Sequence, residues 1–332
     1  MMKADASLLW NALRGIICVY KPAEVSVRSL RSKLIHKLCK DLSELDVKLR
    51  VPALSSDSCS NSSLIPDSTD HSIQQQQSVT SLMLRDVETS LTFDTGNVDL
   101  SHHPLVVGPR YLDEDLAVSW SNYLGWNTSG VLIFGLRAGT QFAKYIRENR
   151  LTRAYRIKGV FGKATDNGLK SGKVVERSTW RFIKEHHFQK ILSAMQSSHQ
   201  IKMYEMCGVD MQSQLAYELA LKGPIRPANS KIPIIYGLKL IDYEGPSFTL
   251  EIQCINENEQ YLINLVHEIG TQLHSTAHTT ALKCIRHCCF NLDHALLQKH
   301  WNLENIVNNM DMCNGLLSEN EKVLRQNNIA LG

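Results

Sequence analysis

Several features that would place a chain in a familiar class are missing from these 332 residues. No window approaches the roughly 18 consecutive apolar residues of a membrane-spanning helix, and no apolar signal-peptide core follows the start. We therefore expect neither membrane insertion nor classical secretion. Nine cysteines occur without a CxxC pair, which is typical of reduced thiols in an intracellular compartment. Hydrophobic residues make up 43% of the chain, which is ample for a packed core.

The densest group of cysteines and histidines lacks the pattern of a metal site. It consists of Cys284, His287, Cys288 and Cys289, with His274 and His278 upstream. A structural zinc site needs paired ligands that close a tetrahedron, and no second matching pair follows. We expect thiols packed in or beside a strand, and no metal.

The stretch between Asp115 and Arg137 contains no Asp, Glu, His, Lys, Arg or Cys. Its second half, 129–135, is an apolar run between glycines and predicts a short buried strand. Its first half is the loop that leads into that strand. Catalytic side chains are frequent on such loops. This loop contains none of the residue types named above, so the sequence predicts no acid, base or thiol nucleophile in it.

Other segments predict an alternation of strands and helices. A strand at 15–20 ends before Pro22, and a helix follows with Ser26 as its N-cap. Further helices are expected at 141–149, 188–195, 211–221 and 257–273 and from about 303, and further strands at 153–162, 236–243, 248–254 and 279–290.

Positive charge is concentrated in one part of the chain. The net charge of the whole sequence is +3, but from Arg137 to Arg177 eleven Lys or Arg residues face three acids, a local net of +8. The predicted helix at 28–40 is also basic. Such a surface indicates a partner with a phosphate backbone.

Six segments together resemble the TruB family of pseudouridine synthases, and most closely its animal mitochondrial branch. They are the L-G-W-N-T-S-G-V-L run at 124–132, the K-P pair at 21–22, Tyr155 of a K-x-Y motif with Arg153 in the lysine place, the turn G-K-A-T-D at 162–166, Q-L-A-Y-E-L-A-L-K-G-P-I-R-P at 214–227, and the helix with Tyr261, Leu265, Ile269 and Gly270. Glu24 stands where the family's K-P-x-G motif has glycine.

The resemblance implies an α+β pseudouridine synthase fold, with a curved mixed sheet flanked by helices and no C-terminal extra RNA-binding domain. The organisation that we predict is a candidate targeting segment at 1–14, the first strand-helix unit at 15–52, a disordered Ser/Gln-rich insertion at 53–101, the synthase domain at 102–312, and a tail at 313–332.

The family's catalytic pair is replaced in this sequence. Family members break the N-glycosidic bond of a uridine and rejoin the base through carbon 5, without cofactor or metal, using an aspartate beside an arginine. Gly125 occupies the aspartate position and Ile263 the arginine position. Losing both members avoids leaving a buried charge unpaired. We therefore predict impaired catalysis, with Tyr155 as the remaining residue of the family's site, although it could equally be a packed core tyrosine.

Two alternatives remain open. The protein could be an active synthase that uses a displaced carboxylate, for which Asp113, Glu114 and Asp115 are the sequence candidates, or it could be a protein-interaction scaffold without RNA binding. For an RNA-binding protein, the residues expected to contact RNA are Lys21, Asn122, Trp126, Arg147, Arg150, Arg153, Lys158, Lys163, Tyr217 and Arg226. The resemblance further implies a mitochondrial location, tRNA or mitochondrial mRNA or rRNA as partner, and other mitochondrial RNA-processing proteins as candidate partners.

Overall fold

The computed structural model of the protein describes residues 6–50, 108–221, 225 and 231–320, with the backbone alone at 46–50. The predicted insertion at 53–101 and Arg226 lie outside the described residues. Among the helices that are described, none is both long enough and apolar enough to cross a membrane.

A mixed sheet forms the centre of the molecule. Its strands are β1 (Gly15–Lys21), β2 (Val118–Trp120), β3 (Thr128–Leu136), β4 (Arg153–Phe161), β7 (Ile234–Glu244), β8 (Ser247–Ile255), β9 (Ala277–His287) and β10 (Phe290–Asn291). The order is β1-β3-β9-β4-β8-β7, with β2 beside β3 and β10 beside β9. The pairing of β3 with β9 is parallel, and the other pairings in this sheet are antiparallel. A separate hairpin joins β5 (Lys163–Thr165) to β6 (Val174–Arg177).

Seven α-helices lie around the sheet in the described part of the chain. They are α1 (Ala6–Ala12), α2 (Val27–Arg50), α3 (Gly139–Glu148), α4 (Glu185–Met206), α5 (Gln214–Leu221), α6 (Glu259–Gln272) and α7 (Leu303–Glu319), with two short 3-10 turns at Leu292–His294 and Gln298–His300. This arrangement confirms the predicted α+β class with a mixed sheet flanked by helices.

Polar caps define where two of these helices begin. The Ser26 hydroxyl accepts a hydrogen bond from the Ser29 amide at 3.0 Å, which confirms the predicted N-cap of α2. The Asn258 side chain accepts from the Tyr261 amide at 2.8 Å. The cap at Asn258 fixes the first turn of α6, which carries residues of the site described below.

The two faces of the sheet differ in cover. On one face, Phe161 and Phe248 pack against Phe188 of α4, with ring centroids 5.4 and 5.2 Å from it. Side chains of β4 that point the other way, Arg156 and Lys158, are exposed. The second face is therefore open to solvent at these positions of β4, as it is at Lys283 of β9 and Lys239 of β7.

Both ends of the predicted synthase domain extend further than expected. In the predicted targeting segment, Ala6 and Leu13 are buried, and the Trp10 ring lies 5.0 Å from Tyr111. At the other end, α7 continues past residue 312 and buries Cys313. Residues from both flanking segments thus belong to the packed domain, because their apolar side chains complete its core.

Candidate functional site

The loop before β3 is held by buried polar side chains. The Asn122 amide donates to the Val131 carbonyl at 3.0 Å, and its oxygen accepts from the Ile133 amide at 3.2 Å. Asn122 is buried. Its hydrogen bonds therefore fasten the loop to the strand, and its side chain does not reach the surface where RNA was predicted to contact it.

Lys21, at the end of β1, holds the same loop by hydrogen bonds. Its ammonium donates to the carbonyls of Pro22, Trp126 and Thr128 at 3.1, 3.3 and 2.6 Å. The side chain is fully buried. Burial lowers the pKa of Lys21 to about 8, although the Glu259 carboxylate acts in the opposite direction. Lys21 thus cross-links the loop from inside and lies away from the surface expected for an RNA contact.

A carboxylate occupies the space beside Gly125. The side chain of Glu259, in the first turn of α6, lies so close that a Cβ added at Gly125 would overlap its carboxylate and approach its Cβ to 2.7 Å. The Glu259 oxygens accept from Asn127 Nδ2 at 3.0 Å and Thr128 Oγ1 at 2.6 Å. The space in which a side chain at position 125 would begin is therefore filled from another element of the fold.

Ile263 lies one helical turn after Glu259 and is also buried. A Cβ added at Gly168 would overlap Ile263 Cγ2, so the turn that joins β5 to β6 packs closely on this side chain. Gly168 has a φ of +68°, a conformation that favours glycine. An apolar contact thus occupies the position that the resemblance assigns to an arginine.

Tyr155 and Arg153 belong to a buried network centred on Glu257. The Tyr155 hydroxyl donates to Glu257 Oε1 at 2.6 Å, and Arg153 Nε lies 2.7 Å from the same oxygen. Burial raises the pKa of Tyr155 well above its usual range, and it lowers the pKa of the neighbouring His287 to about 3. Tyr155 is therefore a neutral, packed donor, and the Arg153 cation is committed to Glu257 rather than to a ligand.

A cavity of about 390 Å³ opens next to the loop. It is lined by Ala23, Glu24, Asn127, Ser129, Leu169, Lys170, Ser171, Thr280, Ala281 and Leu282. These residues come from the K-P segment, the central motif, the β5–β6 turn and β9. Glu24 adopts a φ of +61°, the left-handed conformation that suits the glycine of the family motif. The motif segments thus converge on one cleft.

The remaining predicted RNA contacts lie at or near the surface. Trp126 and Tyr217 are 55% and 61% exposed, and Arg147, Lys158 and Lys163 are exposed as well. Arg150 is half-buried, and Arg226 lies outside the described residues.

The structure also locates the residues that were considered for other chemistry. Among the described residues, no cluster of His, Cys, Asp or Glu has the arrangement of a metal site. Asp113 lies 3.4 Å from His36 of α2, and Asp115 accepts from the Leu112 amide. These acids belong to the loop beside α2, whereas the carboxylate beside Gly125 is Glu259.

Sequence reasoning missed Glu257 and Glu259. Both stand at the start of a predicted helix, where acids are common because they complement the helix dipole. Their partners are 102 and 131–132 residues away in the chain, so spacing within the helix carried no signal of these contacts.

Comparison with known proteins identifies the family. The model for "TruB family pseudouridylate synthase (N terminal domain)" matches residues 118–260. The chain is 32% identical over 305 residues to "Pseudouridylate synthase TRUB2, mitochondrial" of Xenopus tropicalis, covering 92% of this chain and 87% of that protein. For the Homo sapiens protein of the same name the identity is 32% over 297 residues, covering 89% and 82%. A solved "archaeal box H/ACA sRNP Nop10-Cbf5 complex" is similar at 12% identity with a TM-score of 0.42, covering 95% of this chain and 59% of that one. Since the sequence match runs along most of both chains and the family's motif segments line one cleft, the chain belongs to the TruB family of pseudouridine synthases.

Proposed function

We propose that this protein binds structured RNA in the cleft beside Gly125 and does not isomerise uridine by the aspartate route of its family. The observation that carries the proposal is the filled space at Gly125. Glycine offers no carboxylate, and Glu259 occupies the volume in which an aspartate side chain would begin. Both Glu259 oxygens already accept hydrogen bonds from the loop.

Support for RNA as the ligand comes from the surroundings of the cleft. Lys170 lines the cavity, Lys158 and Lys163 are exposed, and the Trp126 ring of the loop before β3 is 55% exposed. Cations that follow a phosphate backbone and aromatic rings that stack on bases are the usual components of such sites. The names of the relatives favour a mitochondrial location and therefore mitochondrial mRNA, rRNA or tRNA as the RNA, with other RNA-processing proteins as candidate partners.

A second candidate function is uridine isomerisation with Glu259 as a displaced carboxylate. The specific observation in its favour is the overlap of the Glu259 carboxylate with the space that a Cβ at Gly125 would take. In that reaction the bond from C1′ to N1 breaks, a bond from C1′ to C5 forms, and a proton moves from C5 to N1. Asp113, Glu114 and Asp115 are not favoured, because their loop packs at α2.

One assay separates the two functions. The purified protein is incubated with uridine-labelled tRNA and organellar RNA, pseudouridine is measured, and Glu259→Gln is run in parallel as a variant of the same shape. We expect no pseudouridine from either protein. Turnover by the parent chain that Glu259→Gln abolishes would establish the displaced carboxylate instead.

RNA affinity tests the proposal against a scaffold role. A protein that neutralises phosphates releases counterions, so its affinity must fall as salt rises. We expect binding to a tRNA transcript that weakens steeply between about 50 and 200 mM salt. Absence of RNA binding at the lower salt would leave the scaffold role as the better explanation.

A further inference from the structure

The open face of the sheet carries a row of charged residues that starts at the cleft. Strand registers place Ser129 of β3 beside Lys283 of β9, Lys283 beside Arg156 of β4, Arg156 beside Glu251 of β8, and Glu251 beside Lys239 of β7. Ser129 also lines the cavity. The row therefore runs from the cleft to the edge of the sheet, at right angles to the strands.

Two of the cations in this row remain available for a ligand. Arg156 Nη2 lies 3.3 Å from the Glu251 carboxylate, so these two charges offset one another. Lys283 and Lys239 are exposed, and within the described part of the chain neither of them is joined to an acid by an ion pair. Lys158 lies two residues after Arg156 on β4. It adds a third exposed cation, beside Ala281 of the cavity wall.

Both small and longer side chains flank the row. Ala154 and Gly237 align through Gln253, and Ala281 lies on the other side of the row. From Lys283 to Lys239 the row crosses three strand spacings, about 14 Å. A lysine on an edge strand such as β7 also deters unwanted strand pairing, but Lys283 lies on a central strand, where that explanation does not apply.

We propose that this row, defined by Lys283, Arg156, Glu251 and Lys239, is the track along which the RNA strand leaves the cleft, with Lys283 and Lys239 contacting its phosphates. The proposal rests on RNA binding by the protein and names the surface that performs it. A phosphate backbone fits the row because it offers repeated negative charge along a line, and because the row begins beside Ser129, which lines the cleft.

The test compares Lys239→Glu/Lys283→Glu with Lys190→Glu/Lys202→Glu. The control pair carries the same change of charge on exposed residues of α4, which covers the opposite face. Affinity for a tRNA transcript is measured at several salt concentrations, and melting temperatures confirm that each protein is folded. We expect at least a tenfold loss of affinity for the row variant and a salt slope lower by about 1.5, since each lost phosphate contact removes 0.7–0.9. The control should bind within about twofold of the parent.

Three outcomes would overturn the proposal. If the parent binds RNA and the row variant binds equally well, the track lies elsewhere while the proposed function stands. If the row and control variants lose affinity equally, net charge and not the row governs binding. If polyglutamate displaces the RNA as well as poly(U) does at equal charge, the face binds acidic protein segments rather than RNA. The variant Lys239→Arg/Lys283→Arg keeps both positive charges and should bind RNA as tightly as the parent.

Discussion

At the scale of single residues, Glu259 of α6 occupies the space in which a side chain at position 125 would begin. A carboxylate at position 125 would need the volume that Glu259 occupies, and the two like charges would repel each other. We therefore expect that Gly125→Asp alone does not place a free carboxylate at this position. Ile263 is a second obstacle, because its side chain is packed on the Gly168 turn.

We predict that Gly125→Asp destabilises the protein and that Glu259→Ala partly compensates. Overpacking a tight site costs about 1–3 kcal/mol, and charge repulsion adds to it. Removing the Glu259 side chain frees the space, so the double variant should be more stable than Gly125→Asp alone. Urea unfolding of the four proteins forms a complete cycle. Additive effects of the two changes would contradict the contact.

Lys21 gives the protein a pH dependence with a defined sign. Its pKa is lowered to about 8 in the folded state, whereas in the unfolded chain it is the ordinary value near 10.4. Between these values the unfolded chain holds the proton more tightly, so folded stability rises with pH through this window, by up to about 1.4 kcal/mol per unit, and is lost again as pH falls towards 8.

The measurement is the difference in unfolding free energy between the parent and Lys21→Met at pH 8 and pH 10. We expect the free energy of unfolding of the parent, relative to that of Lys21→Met, to be larger at pH 10 than at pH 8. The variant removes the titrating group while retaining an unbranched side chain, so the titration of other residues cancels. A difference that stays constant would mean that Lys21 titrates normally.

The residues that sequence reasoning placed correctly are those with a local signal. Ser26 caps its helix, and the apolar run at 129–135 forms a buried strand, because both depend on neighbours in the chain. Lys21 and Arg153 were interpreted as surface cations because their burial depends on distant partners, which are the carbonyls of Trp126 and Thr128 for Lys21 and the Glu257 carboxylate for Arg153. A sequence shows which residues are charged. It does not show which distant residue each of them will pair with in the folded protein.

At the scale of elements, α1 is a part of the domain rather than an appendage to it. The Arg137 guanidinium lies 4.5 Å from the centre of the Trp10 ring and donates to the Trp10 carbonyl at 2.7 Å. This joins the helix to the end of β3. Cleavage of a targeting segment after residue 14 would remove these contacts together with the buried Ala6 and Leu13.

We predict that Trp10→Ala lowers stability by about 2 kcal/mol, as expected for loss of a large, partly buried apolar side chain. Leu8→Ala on the same helix is the matched control, because Leu8 is 67% exposed, and surface changes stay within about 0.5 kcal/mol. Thermal unfolding measures both. Equal effects of the two changes would show that α1 does not pack as described.

At the scale of the whole molecule, the sequence pattern gave the order of strands and helices well, because each apolar period is a local property. The sheet order β1-β3-β9-β4-β8-β7 could not be predicted from this pattern, because β9 inserts between strands that are far from it in sequence. That insertion places Lys283 beside Arg156 and creates a charged face that the linear charge count could only suggest.

The local net charge of +8 between Arg137 and Arg177 predicts that RNA contacts this segment. Arg153 cannot be used to test it, because reversing its charge would bury a second carboxylate beside that of Glu257 and disrupt the fold. Lys158 and Lys163 are exposed, so Lys158→Glu/Lys163→Glu changes the surface without touching that network. We expect an unchanged melting temperature, a weaker RNA affinity and a shallower dependence of log Kd on log salt concentration, because fewer counterions are released. An unchanged slope would mean that the RNA does not cross this segment.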